Sequence, residues 1–279
     1  MNLRITSLEN TPIDQIVTCL VDSFSEYEVP LPLSVDYWIK RFAWARVDYS
    51  MSFGAFDDDR LIGFIIIGVD EFYGYKTAFN TGTGVLKPYR GHRIVDRLYE
   101  KAYPFLREND VKQCALEVLT NNARATRVYE RIGFTINRKL LCFKKELQHE
   151  NDNRELLVDN NEMLLETIKS FNYTDYNSWD NQLSAIIQNR NGVIAKGWKN
   201  DKTEILSYVV AQLDTKYIHQ IEMHDQSDKY EDIMAFIGQL PSGLWKINNI
   251  DERRIELIDE LKAHSWDNYI DQYEMIMML

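Results

Sequence analysis

Between two apolar runs the chain reads Val85-Leu86-Lys87-Pro88-Tyr89-Arg90-Gly91-His92-Arg93-Ile94-Val95. The run before it is strand-like and the run after it is helical. A helix start leaves backbone amides unpaired and carries the positive end of the peptide dipole, so a phosphate docks there. Gly91 lets the backbone approach such a ligand, and Arg90 and Arg93 can add charge-assisted hydrogen bonds. A basic glycine turn alone is also a common structural connection. The spacing downstream is more telling. After the short apolar run Cys114-Ala115-Leu116-Glu117-Val118 come Asn122, Ala125, Tyr129, Gly133 and Phe134. Asp70, Glu71 and Glu117 are carboxylates that could take a proton, and Asn80 could hold a water. Phe24, Tyr27, Tyr37 and Trp38 could wall a pocket, and each also reads as core. The five histidines lack paired ligand spacing, so no metal is expected, and no Ser-His-Asp or Cys-His motif is present.

These residues need a scaffold. Residues 2–7 read as a strand, and Pro12 to about Phe24 as a helix with Ile13, Ile16, Val17 and Leu20 on one face. A second helix is expected from Ser34 to Ala43. Met51–Phe56 and Leu61–Val69 read as strands joined at Asp57-Asp58-Asp59, with Asp70 and Glu71 in the loop that follows. A third strand spans Thr77–Leu86, where Gly82 and Gly84 suggest a bulge or a close backbone approach. Ile94, Leu98, Ala102 and Phe105 mark a helix. The strand Cys114–Val118, a helix from Asn122 to Ile132 and a strand Lys139–Leu147 complete the first half. The polar run 148–154 is the expected linker.

The run from Val85 to Phe134 resembles the GNAT superfamily of N-acetyltransferases. That family's cofactor loop has the form Gln/Arg-x-x-Gly-x-Gly/Ala, here beginning at Arg90. Its downstream motif is Asn-x-x-Ala-x-x-x-Tyr followed by Gly-Phe, here Asn122, Ala125, Tyr129, Gly133 and Phe134. Arg93 stands where the family usually has Gly, and Val95 where it has Gly or Ala. The resemblance covers residues 1–147. It implies acetyl-CoA as co-substrate, held by Gly84, Val85 and Leu86 on a splayed strand. Arg90, Gly91, His92, Arg93, Ile94 and Val95 would hold it in the loop, with Asn122 nearby. It implies Tyr129 as general acid, since a free phenol has a pKa of about 10 and is protonated at neutral pH. Glu117 matches an acidic position facing the substrate and is the candidate base. The implied reaction is transfer of an acetyl group to a primary amine of a small molecule or peptide. Arg93 and Val95 motivate a second reading, a non-catalytic CoA-binding or regulatory module.

The second half repeats the order of elements. Glu155–Val158 is strand-like, helices are suggested by Leu164–Ile168 and Trp179–Ile187, and strands by Gly192–Trp198, Ile205–Leu213 and Lys216–Met223. A helix at Tyr230–Leu240, a strand at Leu244–Asn248, a helix at Glu252–Leu261 and a strand at Tyr269–Met277 follow. Its turn, His224-Asp225-Gln226-Ser227-Asp228, has no Gly and two carboxylates. Sliding the Tyr129 helix onto Glu252–Leu261 puts Ile258 at the tyrosine position and Asp251 at the Asn122 position. The expected fold class is α+β: two GNAT-like domains, each a mixed, mostly antiparallel sheet flanked by helices. The expected domains are 1–147, catalytic, and 155–279, degenerate and without a cofactor.

Composition supports a globular protein, 45% hydrophobic and 27% charged over 279 residues. No run reaches the roughly 18 apolar residues of a membrane helix, and no basic segment followed by an apolar core opens the chain. Cys19, Cys114 and Cys142 lie far apart in apolar surroundings and read as buried thiols of a cytoplasmic protein. Residues 1–150 hold 20 Lys and Arg against 20 Asp and Glu, and residues 151–279 hold 12 against 23. All of the net charge of −11 is therefore in the second half. Such a half repels phosphate, so no nucleic-acid partner is expected; it reads first as a solvated acidic surface and only mildly favours a cationic amine acceptor, while the lack of an apolar span argues against a membrane partner. The sequence leaves the oligomeric state open.

Overall fold

The computed structural model describes residues 3–26, 31–148, 177–199, 205–223 and 230–279. The chain forms two compact units, Met1–Asn137 with Tyr273–Leu279, and Arg138–Gln272. In the first unit the elements are β1 (Leu3–Ser7), α1 (Ile13–Ser23), α2 (Val35–Trp44), β2 (Phe53–Asp57), β3 (Arg60–Phe72), β4 (Tyr75–Val85), α3 (Ile94–Glu108), β5 (Gln113–Leu119) and α4 (Ala123–Ile132). The next strand, β6 (Thr135–Leu147), begins here and continues into the second unit. The strand order is β1-β2-β3-β4-β5. β1 to β4 run antiparallel, and β5 lies parallel to β4 after the α3 crossover.

The apolar run of β3 is buried on both faces, from Leu61 through Gly68, because helices cover both sides of the sheet. Ile16 and Leu20 of α1 and Leu98, Ala102 and Leu106 of α3 join it in one core. β3 is longer than its apolar run. Asp70, Glu71 and Phe72 still pair with Thr77, Lys76 and Tyr75, and the hairpin turns at Tyr73-Gly74, both at positive φ. Such a two-residue turn matches the twist of the strands, so the hairpin needs no longer loop. Asp70 and Glu71 are therefore strand residues and not part of a connecting loop.

In the second unit, a 3₁₀ turn at Trp179–Asn181 leads to α5 (Leu183–Gln188). β7 (Val193–Lys199), β8 (Ile205–Gln212) and β9 (Tyr217–Met223) follow, then α6 (Tyr230–Ile237), β10 (Gly243–Asp251) and α7 (Ile255–Ala263). The last strand, β11 (Asp267–Met278), begins here. Three antiparallel strands, a helix and a strand parallel to the third repeat the plan of β2 to β5. The expected strand 155–158, the helix near Leu164 and the turn at 224–228 lie outside the described residues. α7 begins at Ile255 with Arg254 as its cap, whereas α4 begins at Ala123 with Asn122 as its cap. Counted from the caps, the tyrosine position falls on buried Leu261, not on Ile258. Asp251 is fully buried and ion-paired to Arg138 and Arg253.

Each unit takes its closing strand from the other repeat. β6, last of the first repeat, pairs antiparallel with β10 in the second unit. The end of β11 lies beside β5 in the first. The units therefore divide inside β6 and β11, not at the polar run 148–154. Met275 is fully buried in the first core, Tyr103 Oη donates to Met277 Sδ, and Leu279 N–H donates to Lys112 O. Tyr73 Oη and Asn137 Nδ2 both donate to the buried Glu274 carboxylate.

Deleting Tyr273–Leu279 should destabilise the first unit by at least about 3 kcal/mol, the scale of one lost buried Met side chain. Hydrogen exchange in β5 and α4 reads this directly, and unchanged protection there would show the strand to be dispensable. A second expectation concerns pH. His219 is 6% exposed, and burial holds its imidazole down to about 3. Below about pH 6.5 the unfolded chain gains a proton that the folded unit refuses until about pH 3. Stability therefore falls as pH drops through that window, by about 1.4 kcal/mol per unit at most. Denaturant titrations of wild type and His219→Gln across pH 4–7 should show the slope flattened in the variant.

Candidate active site

Parallel pairing of β4 with β5 runs from Thr77↔Gln113 to Asn80↔Leu116 and ends there. The β3–β4 register shifts between Ile66↔Gly82 and Ile67↔Asn80, which leaves Thr81 as the extra residue of a bulge. Asn80 is 8% exposed and holds this distortion in place. Its Oδ1 accepts Gly82 N–H at 3.0 Å, and its Nδ2 donates to Thr83 Oγ1 and, at 2.7 Å, to Tyr99 Oη. Both N–H groups of the amide are thus taken up by protein partners. Burial pushes the Tyr99 phenol well up, helped by nearby Tyr129, so it stays protonated.

Beyond the end of pairing lies a cavity of about 670 Å³, within the range of cofactor and ligand sites. Gly84, Val85, Arg90, Gly91, Arg93, Ile94, Val95, Asn122 and Tyr129 all line it, as does Phe24. Leu86, His92 and Glu117 do not. The Leu86 side chain is buried and its N–H donates to Ile62 O. His92 turns its Nδ1 back toward Tyr89 O and Arg90 O, at 3.2 Å each. Glu117 sits half-buried on β5, one residue past the last pair with β4. Trp38 is buried with its indole N–H on Pro32 O, and Tyr37 is exposed; neither lines the cavity. Tyr27 lies outside the described residues. Asp70 is ion-paired to Arg46 at 2.8 Å.

The turn between β4 and α3 has the open backbone of a helix start, which can take an anion, though Arg90 is not spare for one. Arg90 is a structural tie: Nε donates to Val85 O at 3.1 Å, Nη2 to Ser23 O at 2.9 Å, and Nη1 to Glu26 Oε2 at 2.7 Å. Hydrogen bonds from Lys87 and Arg90 hold the Glu26 carboxyl below its usual range. Gly91 has φ +85°, and a Cβ there would meet nothing within 4 Å, so its backbone is open. Gly84 is glycine for another reason. A Cβ would sit 2.6 Å from the Phe64 ring and 2.8 Å from Ser23 Cβ, so its absence allows close packing. Arg93 caps α3 with φ 53° and ψ 34°, the left-handed region where the related loops have glycine. It provides no side-chain cap, so the first amides of α3 are left without one.

Asn122 does cap α4, its Oδ1 accepting Ala125 N–H at 3.1 Å, and this fixes where the helix starts. Tyr129 then falls two turns in, half-buried, with its ring edge-on to Phe134 at 5.9 Å. Arg131 Nε and Nη2 donate to the two oxygens of Asp96 at 2.7 and 2.8 Å and join α4 to the first turn of α3. These hydrogen bonds lower the Asp96 pKa. Glu26, Asp96, Arg124, Arg127 and Arg131 were not legible as site residues, since exposed charges on helices ordinarily face solvent.

Residues 14–134 match the family model of the acetyltransferase (GNAT) family. The first unit thus carries a GNAT-like acetyltransferase domain. The chain is similar to N-alpha-acetyltransferase 30 of Schizosaccharomyces pombe, at 30% identity over 90 residues. That match covers 32% of this chain and 60% of the relative's length. A putative acetyltransferase from Pyrococcus horikoshii has a similar structure, with TM-score 0.69, 14% identity, and coverage of 100% of this chain and 90% of its own. So does a tandem GNAT protein from the clavulanic acid biosynthesis pathway, with TM-score 0.68, 10% identity, and coverage of 99% and 98%. At such identities the likeness is one of fold, and it extends over both repeats. The chain is a pair of GNAT-like domains, and the family relationship supports acyl transfer.

A left-handed non-glycine residue carries about 1 kcal/mol of backbone strain. Arg93→Gly should therefore stabilise the folded protein by about that much in urea titrations. No gain would mean that Arg93 does not hold this conformation in solution.

Proposed function

We propose that the first GNAT domain transfers the acetyl group of acetyl-CoA to a primary amine of a small molecule or peptide. The observation that carries this reading is that one cavity is lined both by the uncapped start of α3 and by Tyr129. Bound acetyl-CoA supplies an activated acetyl thioester. The residues present fit its parts. The open Gly91 backbone and the first α3 amides suit a pyrophosphate. The facing edges of β4 and β5, which stop pairing with each other after Asn80↔Leu116, offer backbone groups to an amide-bearing pantetheine arm.

In this reading Tyr129 Oη is the general acid. The amine nitrogen forms a bond to the acetyl carbon, the carbon–sulfur bond breaks, and Tyr129 gives its proton to the departing sulfur. Glu117 is the proposed base that takes the amine proton. It stands off the cavity wall, on the strand that diverges from β4, so its role requires the acceptor to enter from the β5 side. The name of the fission-yeast relative makes a peptide α-amine one acceptor to test. The second domain is proposed to carry no cofactor, its turn at 224–228 being acidic.

Calorimetry with acetyl-CoA, followed by CoA release over a panel of peptides and small amines, tests this function. Tyr129→Phe should lower kcat by 10²-fold or more while acetyl-CoA affinity stays within about twofold. Unchanged turnover would remove Tyr129 as the acid. Binding by the wild type without turnover on any amine would favour the non-catalytic CoA-binding module.

A further inference from the structure

We propose that Tyr99 is a positioning residue for Tyr129. The Asn80 amide holds Tyr99 Oη as an acceptor, and the Tyr99 O–H is thereby directed at Tyr129 Oη, directly or through one water. This donation steadies the phenolate that Tyr129 becomes when it gives up its proton. It rests on the acid role given to Tyr129 above.

A phenol has one proton to donate and lone pairs that accept. At Tyr99 the incoming bond is fixed, since Asn80 Nδ2 donates to Oη at 2.7 Å. The amide is held in that sense because its Oδ1 accepts Gly82 N–H at 3.0 Å. The incoming bond polarises the Tyr99 O–H and makes it a stronger donor. Tyr99 is 2% exposed, so bulk water is not at hand to take that proton. Tyr129 is its neighbour. Both rings pack edge-on against Phe134, with centroids at 5.6 and 5.9 Å. Burial first, and then nearby Tyr129, pushes the Tyr99 phenol well up, so Tyr99 stays a donor where an ordinary phenol would ionise.

Tyr129 lines the cavity and Tyr99 does not, so Tyr99 acts through Tyr129 alone. When Tyr129 gives its proton to the departing sulfur, a phenolate is left, and it regains a proton from solvent after the products leave. Tyr99 keeps its own proton throughout. A hydrogen bond to the charged form favours that form, so Tyr99 lowers the Tyr129 pKa and makes it the stronger acid. The other titratable and charged groups around the two phenols do not mimic this. Burial pushes the Cys114 thiol of β5 up to about 12 and raises the Tyr103 phenol of α3. The Asp96–Arg131 pair between α3 and α4 favours both charged forms, and the cavity arginines keep their charge. β4 brings Asn80 and Thr83, and β11 brings Met277, none of which titrates. Glu117 of β5, the proposed base, must be ionised to act and so shapes the acid limb of the rate profile, not the alkaline one.

A pH titration by NMR of the chain carrying Cζ-labelled tyrosine tests this, with the Tyr129 signal identified through Tyr129→Phe. Tyr99→Phe keeps the ring that packs on Phe134 and loses only the hydroxyl. It should raise the Tyr129 pKa by about one unit. With acetyl-CoA and the fastest amine of the panel above, it should lower kcat about tenfold, move the alkaline limb of kcat up by the same unit and leave KM within about twofold. Tyr103→Phe removes a neighbouring hydroxyl that donates to Met277 Sδ, and it should leave the Tyr129 titration in place. Tyr99→3-fluorotyrosine is nearly isosteric and a stronger donor, so it should move the titration down, and it serves if Tyr99→Phe does not fold. An unmoved Tyr129 titration in either Tyr99 variant overturns the proposal, as does an equal shift in Tyr103→Phe or a shifted titration with an unmoved kcat limb. Unchanged turnover in Tyr129→Phe overturns the acid role itself, and the NMR titration, which needs no turnover, tells the two failures apart.

Discussion

The site exists because β4 and β5 stop pairing at Asn80↔Leu116. A parallel ladder that continued would satisfy the backbone of both strands and close the gap. What ends it is a single extra residue, Thr81, held out of register by the Asn80 amide. That amide is buried and uses its carbonyl oxygen and both N–H groups on protein partners. A buried amide left unpaired costs roughly 1–3 kcal/mol per lost bond, so the bulge cannot anneal without a penalty larger than the ladder bond it would restore. Tyr99, fixed from α3 by the same amide, packs edge-on to Phe134 at 5.6 Å, and Phe134 packs in turn against Tyr129. The splay and the position of the candidate acid thus share one anchor.

The loop that follows shows how one family position can change residue without losing its shape. Arg93 is left-handed where glycine is usual, at a strain of order 1 kcal/mol. The turn is over-determined elsewhere. Arg90 ties it to β4, to the end of α1 and to Glu26 by three hydrogen bonds, each to a group worth about 1 kcal/mol or more. With the path of the chain set by those bonds, the residue at 93 adopts the φ it is given. The side chain this brings to the cavity is a cation.

The elements were legible because their periodicity is strong. The apolar stripe of α1, the continuous run of β3 and the Asn122 cap place most boundaries within a residue or two. The basic turn stood out only together with the downstream motif, and Tyr129 through its place in the Asn-x-x-Ala-x-x-x-Tyr pattern of the family that the chain resembles; both line the cavity. Other features depend on partners distant in sequence. Glu26 meets Arg90 across 64 positions, and Asp96 meets Arg131 across 35. The Asp70–Phe72 end of β3 was hidden because charged residues on a two-residue hairpin look like a loop. The exchange of β6 and β11 was hidden for a deeper reason. Either strand could close either sheet by its alternation alone, and only the full contact pattern decides. Buried contacts of Met275 and Glu274 commit the end of β11 to the first core.

Net charge is a poor guide to what this cavity accepts. The chain carries −11, yet its first 150 residues are neutral, and the cavity wall has an excess of arginine over carboxylate. At physiological ionic strength the field of a surface charge decays over about 8 Å. A charge in the cavity therefore responds first to the residues that line it, among them Arg93, Arg124 and Arg127. The committed pairs sharpen this. Glu26 and Asp96 neutralise Arg90 and Arg131, the two arginines that hold the walls together, and leave the arginines on the rim to act on the ligand. Ion pairs shape the cavity, and the arginines outside those pairs set its sign.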